Sequence, residues 1–450
     1  MSPQPAPPAQ PAPPVAPAKD RRVAAFASTI GTTIEWYDFF IYGLAASLAF
    51  NKAFFPESTP VVGTLIAFGT FATGYLGRPI GALIFGHFGD RIGRKSALVT
   101  TMMIMGIGTT LIGLLPTYAS IGVWAPVLLT LLRIFQGIGI AGEWGGAVLL
   151  SVEYAPRQRR GLYGSWPQIG VPAGLLIATG VFSLLTGLTS DAAFQAWGWR
   201  AAFLFSAVLV AAGLIIRLKV MDSPAFRELK RSGEVAKAPL KELFVTVRKS
   251  TILLAMGTKW AEGVGFNTWA VFSIAYLTGV ISLPESAALR GVMIAAAVST
   301  CLIPVWGRAS DSFGRVRVYG SGTALLGVLT IPAFLLFDAG PLAVTIALVA
   351  TFGICYPMMF APQGALYSEL FEPRVRYSGI SVVYQFASIV SSGMTPLILQ
   401  ALLIWGRNGP WLICAYIMAV ATISTLCVYG LRRRSIHSDD QVVAAADRVA

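Results

Sequence analysis

The chain has 450 residues, 55% of them hydrophobic and only 12% charged, with a mean hydropathy of +0.68. Soluble domains carry about 25% charged residues; here apolar runs of about 18 residues or more recur, long enough to cross a bilayer, so a soluble globular protein is excluded. The net charge of +13 is dealt out between these runs, mostly on one side, which is how membrane proteins orient themselves; nucleic acid is not expected as a partner.

Residues 1–22 are rich in Pro and Ala and read as a disordered tail. No cleavable signal is evident, because the apolar stretch after Lys19, Arg21 and Arg22 is too long for one. Apolar spans then follow at roughly 24–50, 61–86, 96–115, 122–150, 161–187 and 198–218. A basic polar segment, 219–250, separates them from spans at 251–281, 288–307, 317–337, 341–366, 378–404 and 410–431. The pattern predicts an all-α membrane protein of twelve transmembrane helices in two six-helix halves, 23–218 and 251–432, with a tail at 433–450. An even number of spans puts both termini on one side. The basic loops make that side cytoplasmic, leaving Lys52, Arg290 and Arg407 opposite. Cys301, Cys355, Cys414 and Cys427 lie in apolar spans, and His87 and His437 lie outside them. No metal-ligand spacing, phosphate loop or nucleophile–base pair stands out, so neither an enzyme nor a metal or organic cofactor is expected.

The two halves repeat each other. Gly86-His87-Phe88-Gly89-Asp90-Arg91-Ile92-Gly93-Arg94 follows span 2, and Gly307-Arg308-Ala309-Ser310-Asp311-Ser312-Phe313-Gly314-Arg315 follows span 8. Ser151-Val152-Glu153 after span 4 is matched by Ser368-Glu369 after span 10, and Gln168 by Gln385, at a nearly constant offset. Such duplicates are expected to be related by an axis along the membrane normal, with a site at their interface. Asp90 and Asp311 can sit at the positive N-terminal end of a neighbouring helix, and Arg91, Arg94 and Arg315 can reach carboxylates such as Glu153 and Glu369. Together with Gly86 these residues would form a gate that latches the cytoplasmic face. Ser312 stands where Arg91 stands in the first copy, which predicts a weaker second latch.

The phrase at 86–95 and Arg133-Ile134-Phe135-Gln136-Gly137 in span 4 resemble signatures of the major facilitator superfamily. A narrower likeness lies in Ile34-Glu35-Trp36-Tyr37-Asp38-Phe39-Phe40-Ile41-Tyr42-Gly43, Gly77-Arg78-Pro79-Ile80-Gly81, Gly142-Glu143-Trp144-Gly145-Gly146 and Trp197-Gly198-Trp199-Arg200. With these the chain resembles the metabolite:proton symporter family, carriers of shikimate, 2-oxoglutarate, citrate and proline or betaine. The resemblance implies uptake of a small molecule by alternating access, with protons as the coupling ion, by a monomer in a bacterial inner membrane. It leaves open a small organic anion, a proline- or betaine-type zwitterion, and export of a weak acid. The residues after Arg432-Arg433-Arg434 carry no heptads, so the coiled-coil tail of osmosensing members is not expected.

A charge in the hydrocarbon core is costly and needs a partner, water or a task. Glu35 and Asp38 share a face of span 1 at i, i+3, and such a close pair is suited to loading and releasing a proton. Facilitators that this chain resembles often pair an acid on span 1 with a base on span 4; by that analogy Asp38 trades its proton against Arg133, or the two form a permanent brace. Arg78 can hold an anionic substrate with its planar fork or neutralise Glu143, itself open to a helix-packing role. Lys259 and Glu262 repeat the i, i+3 spacing in span 7 and either neutralise each other or bind and orient an anion. Tyr37, Tyr42, Gln168, Tyr384 and Gln385, with Trp36 and Tyr276, are uncharged candidates for substrate contact.

Overall fold

The computed structural model describes residues 17–57, 60–219, 222–233 and 235–432, and every regular element among them is helical. In chain order, α1 (Ala18–Ala45) runs through a π-helical turn, Ala46–Phe50, to Asn51–Phe54. It is followed by α2 (Pro60–Arg91), α3 (Arg94–Leu114), α4 (Trp124–Tyr154), α5 (Arg160–Leu188) and α6 (Trp199–Leu218). Two short helices, Pro224–Ser232 and Pro239–Thr246, lie in the basic segment. The second half comprises α7 (Lys249–Phe266, continued through Asn267–Phe272 to Ser273–Gly279), α8 (Glu285–Phe313), α9 (Arg315–Phe337), α10 (Pro341–Leu370), α11 (Arg376–Trp405) and α12 (Trp411–Leu431).

These helices fall on the expected spans. The N-terminal boundary differs: Ala18–Arg22, expected in the disordered tail, forms the first turn of α1. Residues 1–16 and 433–450 lie outside the described residues. Nine of the twelve helices are apolar and long enough to cross a membrane by composition and length. The other three, α1, α2 and α7, carry Glu35, Asp38, Arg78, Lys259 and Glu262.

The helices turn chains of small residues toward one another, as membrane packing requires. A Cβ on Gly137 of α4 would lie 2.0 Å from the Gly74 carbonyl oxygen of α2, so only glycine permits this crossing. It sets α2 against α4 and brings both Arg78 and Arg133 near one ring, Phe39. Between the halves, α2 packs on α11 and α5 on α8.

At the basic end the two halves grip each other by one device used twice. Asp90, closing α2, accepts the backbone N–H groups of Tyr377 (3.1 Å) and Ser378 (2.8 Å) at the start of α11. Asp311, closing α8, accepts those of Gly161 (2.8 Å) and Leu162 (2.9 Å) at the start of α5. Each carboxylate thus satisfies orphan amides and the positive end of a helix in the opposite half. Arg94 lies 3.3 Å from Asp90 and 3.5 Å from Glu153, and donates to the Pro373 carbonyl at 3.1 Å. Arg315 contacts Asp311 at 2.8 Å and Glu369 at 3.2 Å. Glu153 is also held by Arg376 of α11 at 3.5 Å and by the Ser223 hydroxyl. A Cβ on Gly86 would lie 3.0 Å from the Ser378 Cα, so the helices meet closely here.

Arg91 is the exception. It is exposed and lines a surface cavity with Phe226, Lys230 and Lys237, and none of the ion pairs of either cluster given above involves it. With Ser312 in the corresponding place, the contacts of Asp311 and Arg315 in the second latch are still made.

With both latches made, this end of the bundle is shut. A capping carboxylate contributes about 1 kcal/mol. Asp90→Ala with Asp311→Ala should therefore raise thiol labelling of a Ser378→Cys reporter, in a background without the native cysteines, by roughly tenfold or more. An unchanged labelling rate would show that other contacts hold the end closed.

Candidate functional site

Six helices, α1, α2, α5, α7, α10 and α11, meet around a central cavity. π-helical turns in α7, α10 and α11 border it. Asn267 opens the turn in α7, Tyr356 directly follows the one in α10, and Ser388 and Ser392 bracket the start of the one in α11. Such turns redirect side chains and expose backbone at functional positions. Trp36 and Phe266 close one side, with ring centroids 6.1 Å apart across the two halves.

Arg78 enters this cavity from α2 and is 2% exposed. Its Nε and Nη2 are buried with no hydrogen-bond partner among the described residues. The guanidinium lies 4.1 Å from the Tyr75 ring centroid and 5.1 Å from that of Phe39. Across the cavity Lys259 and Glu262 form an ion pair on α7. The Tyr356 hydroxyl donates to Glu262 Oε1 at 3.1 Å, and Lys259 Nζ lies 4.4 Å over the Tyr384 ring. Lys259 and Glu262 cancel, so the lining carries the charge of Arg78 as its excess. A buried guanidinium with empty donors calls for an acceptor.

Gln168 and Gln385, expected as ligands, bond across the two halves in a matched pair and are not among the residues lining the cavity. Gln168 Nε2 donates to the Phe360 carbonyl at 2.9 Å, and Gln385 Nε2 to the Ala141 carbonyl at 3.1 Å. Gln168 Oε1 also accepts from Trp144 Nε1 at 2.8 Å, and Trp144 stacks on Tyr384 at 3.7 Å. Tyr384 and Trp36 line the cavity; Tyr37 and Tyr42 do not. Tyr37 donates to the Ala202 carbonyl at 2.8 Å, and Tyr42 shares a 2.7 Å hydrogen bond with Thr70. Tyr276 packs among Phe272, Phe334 and Phe337.

The remaining charges gather inside the first half. Glu35, Asp38 and Glu143 line one small internal space with Met102, Met105 and Val210. Glu143 does not meet Arg78. Its partner is Arg217 of α6, whose Nη1 donates to Oε2 at 2.6 Å, while Thr101 donates to the same oxygen at 3.0 Å. Arg217 was not among the candidates drawn from the sequence. Its position inside the predicted span at 198–218 was the available signal. Asp38 is fully buried and accepts from the hydroxyls of Thr109 (2.8 Å) and Ser206 (2.5 Å). Arg133 reaches it indirectly: Arg133 Nη1 donates to Gln136 Oε1 at 3.1 Å, and Gln136 Nε2 to Thr109 Oγ1 at 2.7 Å. In place of the direct Asp38–Arg133 contact expected from sequence the structure shows a bridge: Arg133 lies over the Phe39 and Tyr42 rings of α1, while Asp38 is taken by the hydroxyls of Thr109 and Ser206. Arg200 has a structural task, donating to the carbonyls of Gly113 and Leu115 at the end of α3.

A family model described as sugar (and other) transporter matches residues 23–252, and one described as major facilitator superfamily matches 266–445. The shikimate transporter of Escherichia coli (strain K12) is 39% identical over 90% of this chain and 93% of its own. The inner membrane metabolite transport protein YhjE of the same organism is 40% identical over 92% and 96%. The proline/betaine transporter of that strain is 32% identical over 90% and 82%. The proton:xylose symporter XylE, solved with 6-bromo-6-deoxy-D-glucose, superposes with a TM-score of 0.75 at 15% identity, covering 93% of this chain and 96% of that one. The chain belongs to the major facilitator superfamily, among its metabolite transporters; it is a multi-pass membrane transporter of small molecules and not an enzyme.

Breaking a buried ion pair from one side leaves an uncompensated charge and costs about 3–5 kcal/mol. Arg217→Leu should therefore lower the thermal unfolding temperature in detergent strongly, and Glu143→Gln in the same chain should restore much of it. Equal stability of the single and double variants would show that the pair is not coupled.

Proposed function

We propose that this protein is a proton-coupled symporter that imports a small organic anion, a monocarboxylate or a shikimate-like hydroxy acid, by alternating access. The observation that carries this reading is Arg78: a guanidinium 2% exposed, with two unfilled donor atoms, facing a cavity whose other two charges cancel. A carboxylate fits that fork in bidentate geometry. Asn267, Ser388, Ser392 and Tyr384 offer hydrogen bonds to hydroxyl groups on the same molecule. Proton coupling is assigned to Asp38 and Glu35, buried acids outside the substrate cavity, with Arg133 as the base that senses Asp38.

Transport of a betaine-like zwitterion is the competing reading, supported by the proline/betaine relative. Aromatic faces hold a quaternary ammonium well, but here Arg78 already covers Tyr75 and Lys259 already covers Tyr384. That favours the anion. The basic end is assigned to the cytoplasm, with both termini there, in a bacterial inner membrane. In this reading the shut basic end is the state that receives substrate from outside.

Thermal-shift screening against carboxylates, hydroxy acids and betaines should give stabilisation by an anion. Arg78→Ala should abolish that shift, and Arg78→Lys should weaken binding roughly tenfold or more, because the charge stays and the fork is lost. In proteoliposomes, Asp38→Asn should abolish accumulation driven by a pH gradient while sparing exchange of substrate for substrate. Stabilisation by betaine alone would favour the zwitterion, unchanged accumulation in Asp38→Asn would remove Asp38 from coupling, and accumulation only against an inward proton flow would indicate export.

A further inference from the structure

Between the proton-carrying acid and the substrate cavity lies an unbroken chain of side chains, two of which the sequence reading left without a task. It starts at Asp38, whose Oδ2 accepts from the Thr109 hydroxyl at 2.8 Å. Thr109 Oγ1 in turn accepts from Gln136 Nε2 at 2.7 Å, and Gln136 Oε1 accepts from Arg133 Nη1 at 3.1 Å. The Arg133 guanidinium carbon lies 4.7 Å from the centroid of the Phe39 ring, and that of Arg78 lies 5.1 Å from the same centroid. Arg78 ends the chain in the cavity.

We propose that Thr109 and Gln136 are the positioning residues that convert the charge state of Asp38 into the position of Arg133, and through Phe39 into the availability of Arg78 for substrate. This rests on the proton-coupled reading above and supplies the connection it lacks, since the acid and the base are bridged rather than paired.

The chemistry of the bridge gives it two states. The Thr109 hydroxyl has one hydrogen and two acceptors in reach, Asp38 Oδ2 at 2.8 Å and the Met105 carbonyl at 2.9 Å. While Asp38 is ionised, the hydrogen points at the carboxylate. The Gln136 amide is then aligned with its N–H end toward the anion and its carbonyl end toward the Arg133 cation, which is the favourable orientation of a dipole between opposite charges. Once Asp38 takes up a proton, the carboxylic acid becomes a donor. Thr109 turns its hydrogen to Met105 and accepts from both Asp38 and Gln136, using its two lone pairs. All groups stay satisfied, so the bridge switches without leaving a buried polar atom unpaired. The anion that held the Gln136 dipole is gone, and with it part of the hold on Arg133. Arg133 and Arg78 share the Phe39 ring and repel each other, so a displacement of Arg133 changes the field at Arg78. Substrate at Arg78 acts back along the same line, as linkage requires.

Thr109→Val removes the hydroxyl while keeping the side-chain shape; Thr109→Ser keeps the hydroxyl and serves as rescue. Gln136→Leu removes the amide. Purified variants are reconstituted, with anion binding by thermal shift confirming a folded site, and three quantities are read with the best anion of the screen: equilibrium exchange, accumulation driven by a pH gradient, and the pH dependence of binding. The expected result is exchange within about threefold of the parent for all variants. Gradient-driven accumulation should fall at least tenfold in Thr109→Val and Gln136→Leu, with recovery in Thr109→Ser and a flattened pH dependence of binding in the two uncoupled variants. If Asp38→Asn uncouples transport but Thr109→Val and Gln136→Leu retain full accumulation and the parent's pH dependence, the bridge is overturned and Asp38 acts by another route. If Asp38→Asn itself leaves accumulation intact, the proton-coupled reading fails first.

Discussion

An ion in hydrocarbon must have its water replaced by something. Several buried charges among the described residues meet that requirement through protein partners. Glu143 has Arg217, Lys259 has Glu262, and Asp38 has two hydroxyls. Arg78 has aromatic faces but unfilled donors. The desolvation penalty for such a group amounts to several kcal/mol, and a ligand carboxylate relieves it. In the proposed reading, the position of that guanidinium sets where substrate binds and which sign of charge it carries.

The duplication supplies the rest of the machine. Asp90 caps α11 from the first half, and Asp311 caps α5 from the second. Gln168 and Gln385 reach backbone carbonyls across the same interface. The matched contacts lie at the basic end and in the middle of the bundle. Helix termini and amide–carbonyl bonds are directional but individually modest, which suits contacts that must be made and broken in a working cycle. The acids assigned to protons are kept in a separate internal space from the substrate cavity. On α1 the two regions are adjacent, Glu35 lining one and Trp36 the other, and Phe39 carries both Arg78 and Arg133 near its ring.

Much of this was legible beforehand. Hydropathy placed the helices and missed their ends by up to six residues, because bilayer thickness dictates the apolar length but not how far a helix runs beyond it. The repeated G-x-x-x-D-x-x-G-R phrase announced both latches, since an aspartate after a span has few tasks besides capping a facing helix. Pairings were a different matter. Glu143 could be matched on paper with Arg78 and is in fact matched with Arg217. Gln168 and Gln385 read as ligands, and the structure shows their Nε2 groups bonded across the two halves. Arg91 read as part of the latch and lines an exposed surface cavity beside it. In each case the residue type was right for several partners, and the helical periodicity that places a residue on a face does not say which neighbouring helix that face meets.

The sequence alone thus settled that the chain crosses a membrane in two duplicated halves with charges held inside, because length, hydropathy and repetition are properties of the string. The tertiary structure alone decided which of those charges cancel and which is left with open donors. Ion pairing at a few ångströms depends on how helices far apart in the chain cross, and the glycine contact of Gly74 with Gly137 that sets one such crossing takes its meaning only once both helices are in place.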